Sequence, residues 1–407
     1  MVERRKTKKD NKYELLAPAG GFSQLVAAVK AGADAVYFGL KDFSMRVNAK
    51  NFELKDLKKI NEICGKKVKK YLTMNIIIYD DELKKIDRVM EKIKGKVNAI
   101  ICWDLSVIRL CKKHKIPFHI STQASIANSE AAQFYKDLGA ERIVLARELS
   151  LKQIKSIHKN VDIDIEAFCH GAMCVAISGR CFMSQDLYGR SANRGMCTQV
   201  CRRSYELTDS EGRKLKLEGN TVMSAKDLCT LPFIEELKKA GITSFKIEGR
   251  SRDPRYVDMV VRTYRKALDK KLTPEEIESS LEDLNSVYTK GLSSGFYKGV
   301  PTNDDFSNVE HSIATKKKSF VGKIIHYYSK ASVGEVLIQS SNLKIGDSVS
   351  VIGNTTGIEN FNIESMEIDG KKIKHTKKGD IVGIQFPVRV RKNDEVYVVR
   401  STTSDGR

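Results

Sequence analysis

The chain has no apolar run long enough to cross a bilayer. Its opening residues, MVERRKTKKDNKYELLAP, pass from a charged run straight into an apolar segment too short for the core of a secretory signal. A membrane protein and an exported one are both unexpected, and the cytoplasm is the expected location. Two familiar catalytic motifs are also missing, the HExxH helix of zinc proteases and the glycine-rich phosphate loop ending in Lys-Ser or Lys-Thr. One G-x-S-x-G stretch, Gly291 to Gly295, follows a helical segment instead of a strand, so the strained elbow that exposes a nucleophilic serine is not expected there. No protease machinery is recognisable. The nine cysteines are an odd number, and in a reducing compartment they do not read as a disulfide framework. Metal binding or catalysis is the better reading of them.

What is present is a chain of 407 residues with 41% hydrophobic content, enough for one large domain and a smaller one. Its formal net charge is +20, a field that attracts polyanions, with nucleic acid the natural partner. The plainer alternative is that lysines merely solvate helix faces.

Up to residue 250, short apolar runs alternate with helical patterns. The runs cover Glu14 to Pro18, Ala35 to Leu40, Tyr71 to Ile78, Ala99 to Leu105, Ile116 to Gln123, Arg142 to Glu148, Asp162 to Phe168 and Ser244 to Arg250. Between the first two, Phe22, Leu25, Val26 and Val29 recur at helical spacing and Gly32 follows at the C′ position. Eight such units predict an α/β fold, a (β/α)₈ TIM-like barrel whose strands are apolar on both faces. Polar residues gather at the strand ends, namely Asn75, Asp104, Ser121, Thr122, Gln123, Arg147, Glu148, His170, Glu248 and Arg250. The active site of such barrels lies on that rim.

The expected organisation is a basic N-terminal tail (1–12), the barrel domain (13–300), a linker (301–319) and a C-terminal all-β barrel domain (320–407). Thr273, Pro274 and Glu276 form a capping box that opens a helix running through Leu284. From about Phe320, VGKIIHYY, ASVGEVLI, DSVSVIG, DIVGIQF and DEVYVVR alternate with turns such as Lys344 to Asp347 and Lys377 to Asp380.

Six cysteines fall in an insertion over 169–229, between the seventh and eighth strands. Cys174, Cys181, Cys197 and Cys229 are the expected ligands of an iron–sulfur cluster or a zinc ion, since both favour thiolates. Cys174 and Cys181 stand too far apart for a zinc knuckle, and Cys201, with three residues between it and the nearest expected ligand Cys197, is a fifth candidate that either replaces one of the four, Cys197 in particular, or only supports the loop. Cys169 and His170 are adjacent on a strand and point to opposite faces, which disfavours a nucleophilic dyad. Cys64, Cys102 and Cys111 read as small core hydrophobes. Arg180, Arg190, Arg194, Arg202 and Arg203 interleave with the ligands and suit a dicarboxylate cofactor or an RNA backbone; Arg180, Arg190 and Arg194 are the expected cofactor-binding set. Glu166 and His170 share one strand face, and with Glu248 they are the expected acid, base or orienting groups; Arg46 is a further candidate.

Taken together, ELLAPAGG, GADAVYFG, NAKNF, TMN, STQASIAN, EAFCHGAMCVAISGRCFMS, RSANRGMC, QVCRRSY, DLC and SFKIEGR resemble the collagenase-like peptidases, peptidase family U32. The resemblance spans nearly the whole chain and is strongest to the tRNA hydroxylation branch. It implies a [4Fe-4S] cluster on Cys174, Cys181, Cys197 and Cys229, tRNA as partner, prephenate as a required small-molecule dicarboxylate, and conversion of wobble uridine to 5-hydroxyuridine. It also implies a possible related partner subunit, as in the ubiquinone branch of the family. An anticodon loop presents unstacked bases, and Tyr188 and Tyr205 are placed to stack on one. Two other readings stand beside this one, a peptidase as the family name says and a non-catalytic RNA-binding protein holding structural zinc.

Overall fold

The computed structural model describes residues 13–47, 49–177, 179–215 and 223–402. The basic tail expected over 1–12 lies outside them, as do residues 216–222 of the cysteine-rich insertion. Strands β1 (Glu14–Ala19), β2 (Ala35–Gly39), β3 (Lys69–Thr73), β4 (Ala99–Cys102), β5 (Phe118–Ile120), β6 (Arg142–Val144) and β7 (Asp164–Gly171) each pair in parallel with the next. The chain then leaves through the short hairpin β8 (Leu207–Thr208) and β9 (Lys214–Leu215) and returns as β10 (Asp227–Cys229). Strand β11 (Ser244–Ile247) closes the ring, paired in parallel with both β7 and β1. This is the expected barrel, and each of its eight expected strands is present.

Helices α1 (Phe22–Lys30), α2 (Leu57–Cys64), α3 (Leu83–Ile93), α4 (Leu105–His114), α5 (Ser129–Asp137) and α6 (Leu151–Asn160) follow the first six strands. The insertion carries α7 (Met183–Tyr188); then come α8 (Ile234–Lys239), α9 (Pro254–Asp269) and α10 (Pro274–Asn285). Gly32, at φ +98°, terminates α1 in the left-handed region, and Thr273 caps α10 by accepting from the Glu276 N–H. Between strands and helices lies a continuous apolar layer that includes Leu15, Phe38, Phe52, Ile100, Phe245 and Tyr264. None of the helices described is long and apolar enough to cross a membrane.

The inside of the barrel is different. A small apolar cluster of Leu16, Ala35, Tyr37, Tyr71, Ala99 and Ile101 shares it with charged groups. Arg142 Nη1 donates to Glu14 Oε1 and to Ser244 Oγ (3.1 Å), and lies 3.4 Å from Glu166 Oε2. Lys246 Nζ donates to Glu166 Oε1 at 2.7 Å, and the Tyr71 hydroxyl donates to Glu14 Oε2 at 2.8 Å. Glu166, expected at the active rim, is therefore fully buried within the barrel and held between two cations. Strand pleat put it inside as expected, but its depth along β7 makes it a structural group.

A second core, built on Val321, Ile324, Val336, Val351, Ile384 and Val398, belongs to an eight-stranded antiparallel sheet. Its strands are β13 (Lys316–Tyr328), β14 (Val333–Ile338), β15 (Ser348–Gly353), β16 (Gly357–Asn362), β17 (Met366–Ile368), β18 (Lys371–Lys372), β19 (Ile381–Gln385) and β20 (Glu395–Ser401), while β12 (Leu292–Ser293) pairs with β10 beside the barrel. The sheet docks on α1, where Lys30 Nζ donates to the Thr356 carbonyl at 2.9 Å.

Burial pushes the Glu14 carboxyl up, but Arg142 and Lys69 outweigh it and hold it down at about 2. Its stabilising contribution is therefore complete above the ordinary value of 4.5 and is lost as pH falls from there towards 2. Glu14→Gln, which leaves Arg142 buried without its main partner, is expected to cost about 3–5 kcal/mol at pH 7. Urea unfolding at pH 7 and pH 3 checks this: the gap between wild type and variant should be wide at the first pH and narrow at the second.

Candidate active site

The rim is shaped by an irregularity in β7. Phe168 pairs with Lys246, yet the next residue of β11, Ile247, pairs with His170, so β7 carries one extra residue at Cys169. The expectation that Glu166 and His170 share a face assumes unbroken alternation. The extra residue reverses it: Glu166 and Phe168 face inward, while His170 turns outward against Tyr256 and Tyr264 of α9, at ring distances of 5.9 and 5.5 Å. Burial, assisted by Arg252, lowers the His170 pKa to about 3, so the ring is a neutral packing group behind the rim. Cys169 also lies in the outer layer, its thiol donating to the Lys246 carbonyl.

Immediately afterwards Gly171 adopts φ +108°, and a Cβ there would stand 2.5 Å from the Glu248 carbonyl oxygen. This close approach launches the cysteine-rich insertion over the barrel mouth. The insertion is fastened at several points. Arg194 forks onto both oxygens of Glu82 and the Ile77 carbonyl, Arg202 Nη2 donates to the Met173 carbonyl (2.7 Å), and Val47 N–H donates to the Gly195 carbonyl (3.0 Å).

Two concavities result, sharing Arg46 and Glu248 as a common wall. The outer one, of about 320 Å³, is lined by Cys174, Cys197, Cys201, Arg202 and Arg252. The inner one, of about 50 Å³, sits in the barrel mouth among Tyr37, Asn75, Gln123, Arg147, Lys246 and Arg250. Arg46 holds φ +83°, a conformation that costs a non-glycine residue about 1–3 kcal/mol, and its guanidinium reaches Glu248 at 3.5 Å. Burial pushes the Glu248 carboxyl up, but Arg46, Arg252, Arg147 and Arg250 overcome this and keep it ionised below its usual range. Burial lowers Arg250 to about 10; it donates to Ser44 Oγ (2.6 Å) and Thr73 Oγ1 (3.0 Å). Arg147 lies 3.9 Å over the Phe168 ring and donates once, to the Ala172 carbonyl, while its Nε and Nη2 are buried with no hydrogen-bond partner among the described residues. Unsatisfied guanidinium nitrogens in a buried mouth are a receptor for a carboxylate or phosphate oxygen.

The expected site residues are thus distributed unevenly. Glu248 is at the centre. Arg194 is committed to Glu82, Arg180 covers the Trp103 ring at 4.7 Å, and Arg190 is exposed on the insertion; none of the three lines either concavity. The arginines that line the two concavities are Arg46, Arg147, Arg202, Arg250 and Arg252 instead. Arg252 alone among these had not been singled out, although it stands two residues past Arg250 in the same strand-end segment. Tyr188 is half exposed beneath Arg203, and Tyr205 donates to the Val200 carbonyl at 2.6 Å. Ser293 of the G-x-S-x-G stretch donates to Asp305, with no imidazole in that arrangement.

Of the cysteines, Cys174, Cys197 and Cys201 face one void, and the thiols of Cys174, Cys197 and Cys181 all bear electrostatically on Cys201, which burial first and these neighbours next raise to about 11. Cys229 is set apart, buried at the end of β10 where Tyr264 donates to its sulfur at 3.7 Å. Among the described residues no three His, Cys, Asp or Glu side chains already stand in ligand geometry. The chemistry of the set fits a thiolate-bound cluster: soft donors from separate loops, converging on a cavity next to arginines that offset thiolate charge. Cys64, Cys102 and Cys111 are buried in the outer core.

A model of peptidase family U32 matches residues 20–306. A collagenase of Porphyromonas gingivalis is 38% identical over 95% of this chain and 98% of its own. The tRNA hydroxylation protein P1 of Bacillus subtilis is 36% identical over 86% of this chain and 85% of its own, and the tRNA hydroxylation protein P of Escherichia coli is 30% identical over 93% and 94%.

Gly171→Ala is expected to displace the Glu248 backbone and cost more than 1 kcal/mol, because it combines a strained φ with a clash against backbone. Thermal unfolding together with tryptic cleavage of the insertion checks this; an unchanged melting point and cleavage pattern would contradict the positioning role.

Proposed function

The chain belongs to peptidase family U32, and from that premise and the site we propose that it is an RNA-modifying enzyme that hydroxylates tRNA at wobble uridine, giving 5-hydroxyuridine. The observation that carries this reading is the shared wall of the two concavities. Thiols face the outer one, unsatisfied arginine nitrogens face the inner one, and Glu248 stands between them.

Replacing the C5 hydrogen of uracil by hydroxyl is a two-electron oxidation, so the reaction also consumes an oxygen-donating co-substrate that is itself reduced by two electrons. A [4Fe-4S] cluster held by four thiolates would supply electron transfer when bound. The thiolates proposed to hold it are Cys174, Cys181 and Cys197, with the fourth from Cys229, the sequence expectation, or from Cys201, which the shared cavity favours. The chain's own groups have separable tasks. Arg147, Arg46 and Arg250 bind and orient the carboxylates of a dicarboxylate such as prephenate in the barrel mouth. Glu248, ionised among these arginines, fixes Arg46 in its strained position and is available to accept a proton or a uracil N–H bond. The insertion lies over the mouth and brings its thiols beside Glu248. A single-stranded anticodon loop suits such a recessed site, since its bases unstack at small cost.

The peptidase reading rests on the collagenase names among the relatives. The Ser293–Asp305 contact supplies no base to activate that serine.

Anaerobically purified protein is expected to be brown with about four iron per chain, and tRNA from a deletion strain is expected to lack 5-hydroxyuridine by mass spectrometry. Cys174→Ala should lose most of the iron; if Cys201 is the fourth ligand, Cys201→Ser should do the same and Cys229→Ser should retain it, and the two outcomes exchange if the fourth ligand is Cys229. A colourless, iron-free wild-type protein, together with normal amounts of 5-hydroxyuridine in tRNA from the deletion strain, would overturn the reading. Arg147→Met is expected to abolish hydroxylation while keeping iron content and colour unchanged, which separates the dicarboxylate role from the cluster.

A further inference from the structure

Behind the active rim, where the barrel meets the C-terminal sheet, lies an open groove of about 750 Å³. Its charged lining is Arg255, Lys316, Lys317, Lys318 and Arg400 against one carboxylate, Asp253, a balance of 5 − 1 = +4. This is not the general lysine content of the surface. A comparable concavity of about 670 Å³ beside α6 has one lysine, Lys152, and one glutamate, Glu148.

Most of the groove's cations are partly engaged. Lys318 pairs with Asp253 at 3.2 Å, Arg400 reaches Asp347 at 3.2 Å, and Arg255 donates to the Ser286 and Lys316 carbonyls. Lys316 and Lys317 are exposed at the start of β13 and have no ion-pair partner among the described residues. Lys316 and Lys317 alternate across β13, Lys317 standing opposite Arg400 of β20, and both line the groove. These two ammonium groups, backed by three further cations, form a track for successive phosphates, and their solvated heads lose little on meeting a polyanion.

The groove also connects to the proposed site. Tyr288 lines the groove, Arg252 lines the outer concavity, and the Arg252 guanidinium lies 3.6 Å over the Tyr288 ring. One stacked pair thus separates the two depressions. The residues Ser251 and Arg252 face one and Asp253 and Arg255 face the other, straddling the first turn of α9.

The geometry points to this groove as the docking track for the phosphodiester backbone of the RNA substrate, with Lys316 and Lys317 contacting phosphates outside the modified nucleotide. It rests on the RNA reading above and adds a surface to it. These contacts carry no base information; they position the strand so that one nucleotide passes over the Arg252–Tyr288 stack into the cavity.

The test uses the full chain with bulk tRNA from the deletion strain as probe, titrated at several salt concentrations. K316Q/K317Q is expected to weaken binding about ten-fold near 0.1 M salt and to lower the slope of log affinity against log salt by about 1.4 to 1.8, the single-strand and duplex values for two lost phosphate contacts. Hydroxylation by that variant should recover at raised tRNA concentration, with iron content and melting point as in wild type. K371Q/K372Q, an equal charge loss on the exposed β18, should leave affinity and slope unchanged. Equal losses in the two variants, or no loss in the first, overturn the proposal while leaving the hydroxylase reading intact. A wild type that binds tRNA through Lys316 and Lys317 yet yields no hydroxylated nucleoside overturns only that reading, and one with no affinity for tRNA overturns both. Polyglutamate competing as well as tRNA at equal charge would assign the groove to an acidic protein and likewise overturn the proposal.

Discussion

The structure depends on a set of charges sealed inside the barrel. Glu14, Arg142, Glu166 and Lys246 come from four different strands and are nearly or wholly withdrawn from water. Each is tolerable only while its partners are in place, because removing a charge from water costs several kcal/mol unless it is paired and hydrogen-bonded. The network therefore enforces strand register around the ring more strictly than an apolar filling would. It also divides the barrel axis. Below, acids and bases are matched; above, at the mouth, arginines outnumber carboxylates and Arg147 is left with unsatisfied nitrogens.

The site is created by two departures from regular geometry set on this rigid base. The extra residue in β7 turns His170 away from the mouth, and the left-handed Gly171 then sends the chain over it. Strain in the loop carrying Arg46 is sustained by the Glu248 ion pair and by bonds to its carbonyl from the Ala49 N–H and the Asn51 side-chain amide. Roof and floor are consequently coupled: the insertion that brings the thiols is clamped to the rim through Arg194, which binds Glu82, and through the Gly195 carbonyl, which accepts from the Val47 N–H beside Arg46.

Much of this was legible in the residues. Parallel strands covered by helices are apolar on both faces, so their positions and the polar ends of the strands could be read directly, and Glu248, Arg147 and Arg250 lie where such ends place them. Other assignments failed for definite reasons. Arg194 looked free because its partner, Glu82, is more than a hundred residues away in sequence. His170 looked inward-facing because a single extra residue, invisible in the alternation pattern, shifts everything after it. Spacing does not distinguish Cys201 from Cys229, since both are separated from the other cysteines by loops whose path is set by packing.

By itself the sequence determined the barrel, the smaller β domain, the clustering of thiols on the catalytic face and the excess of positive charge, because these follow from local periodicity and composition. Only the tertiary structure decided which charges are satisfied and which are left over. Glu166 is engaged within the barrel, Arg194 by Glu82, and Lys318 by Asp253, whereas Nε and Nη2 of Arg147 have no hydrogen-bond partner and the ammonium groups of Lys316 and Lys317 no ion-pair partner among the described residues. Electrostatic pairing acts over a few ångströms in space between residues distant in sequence, so no one-dimensional pattern contains it.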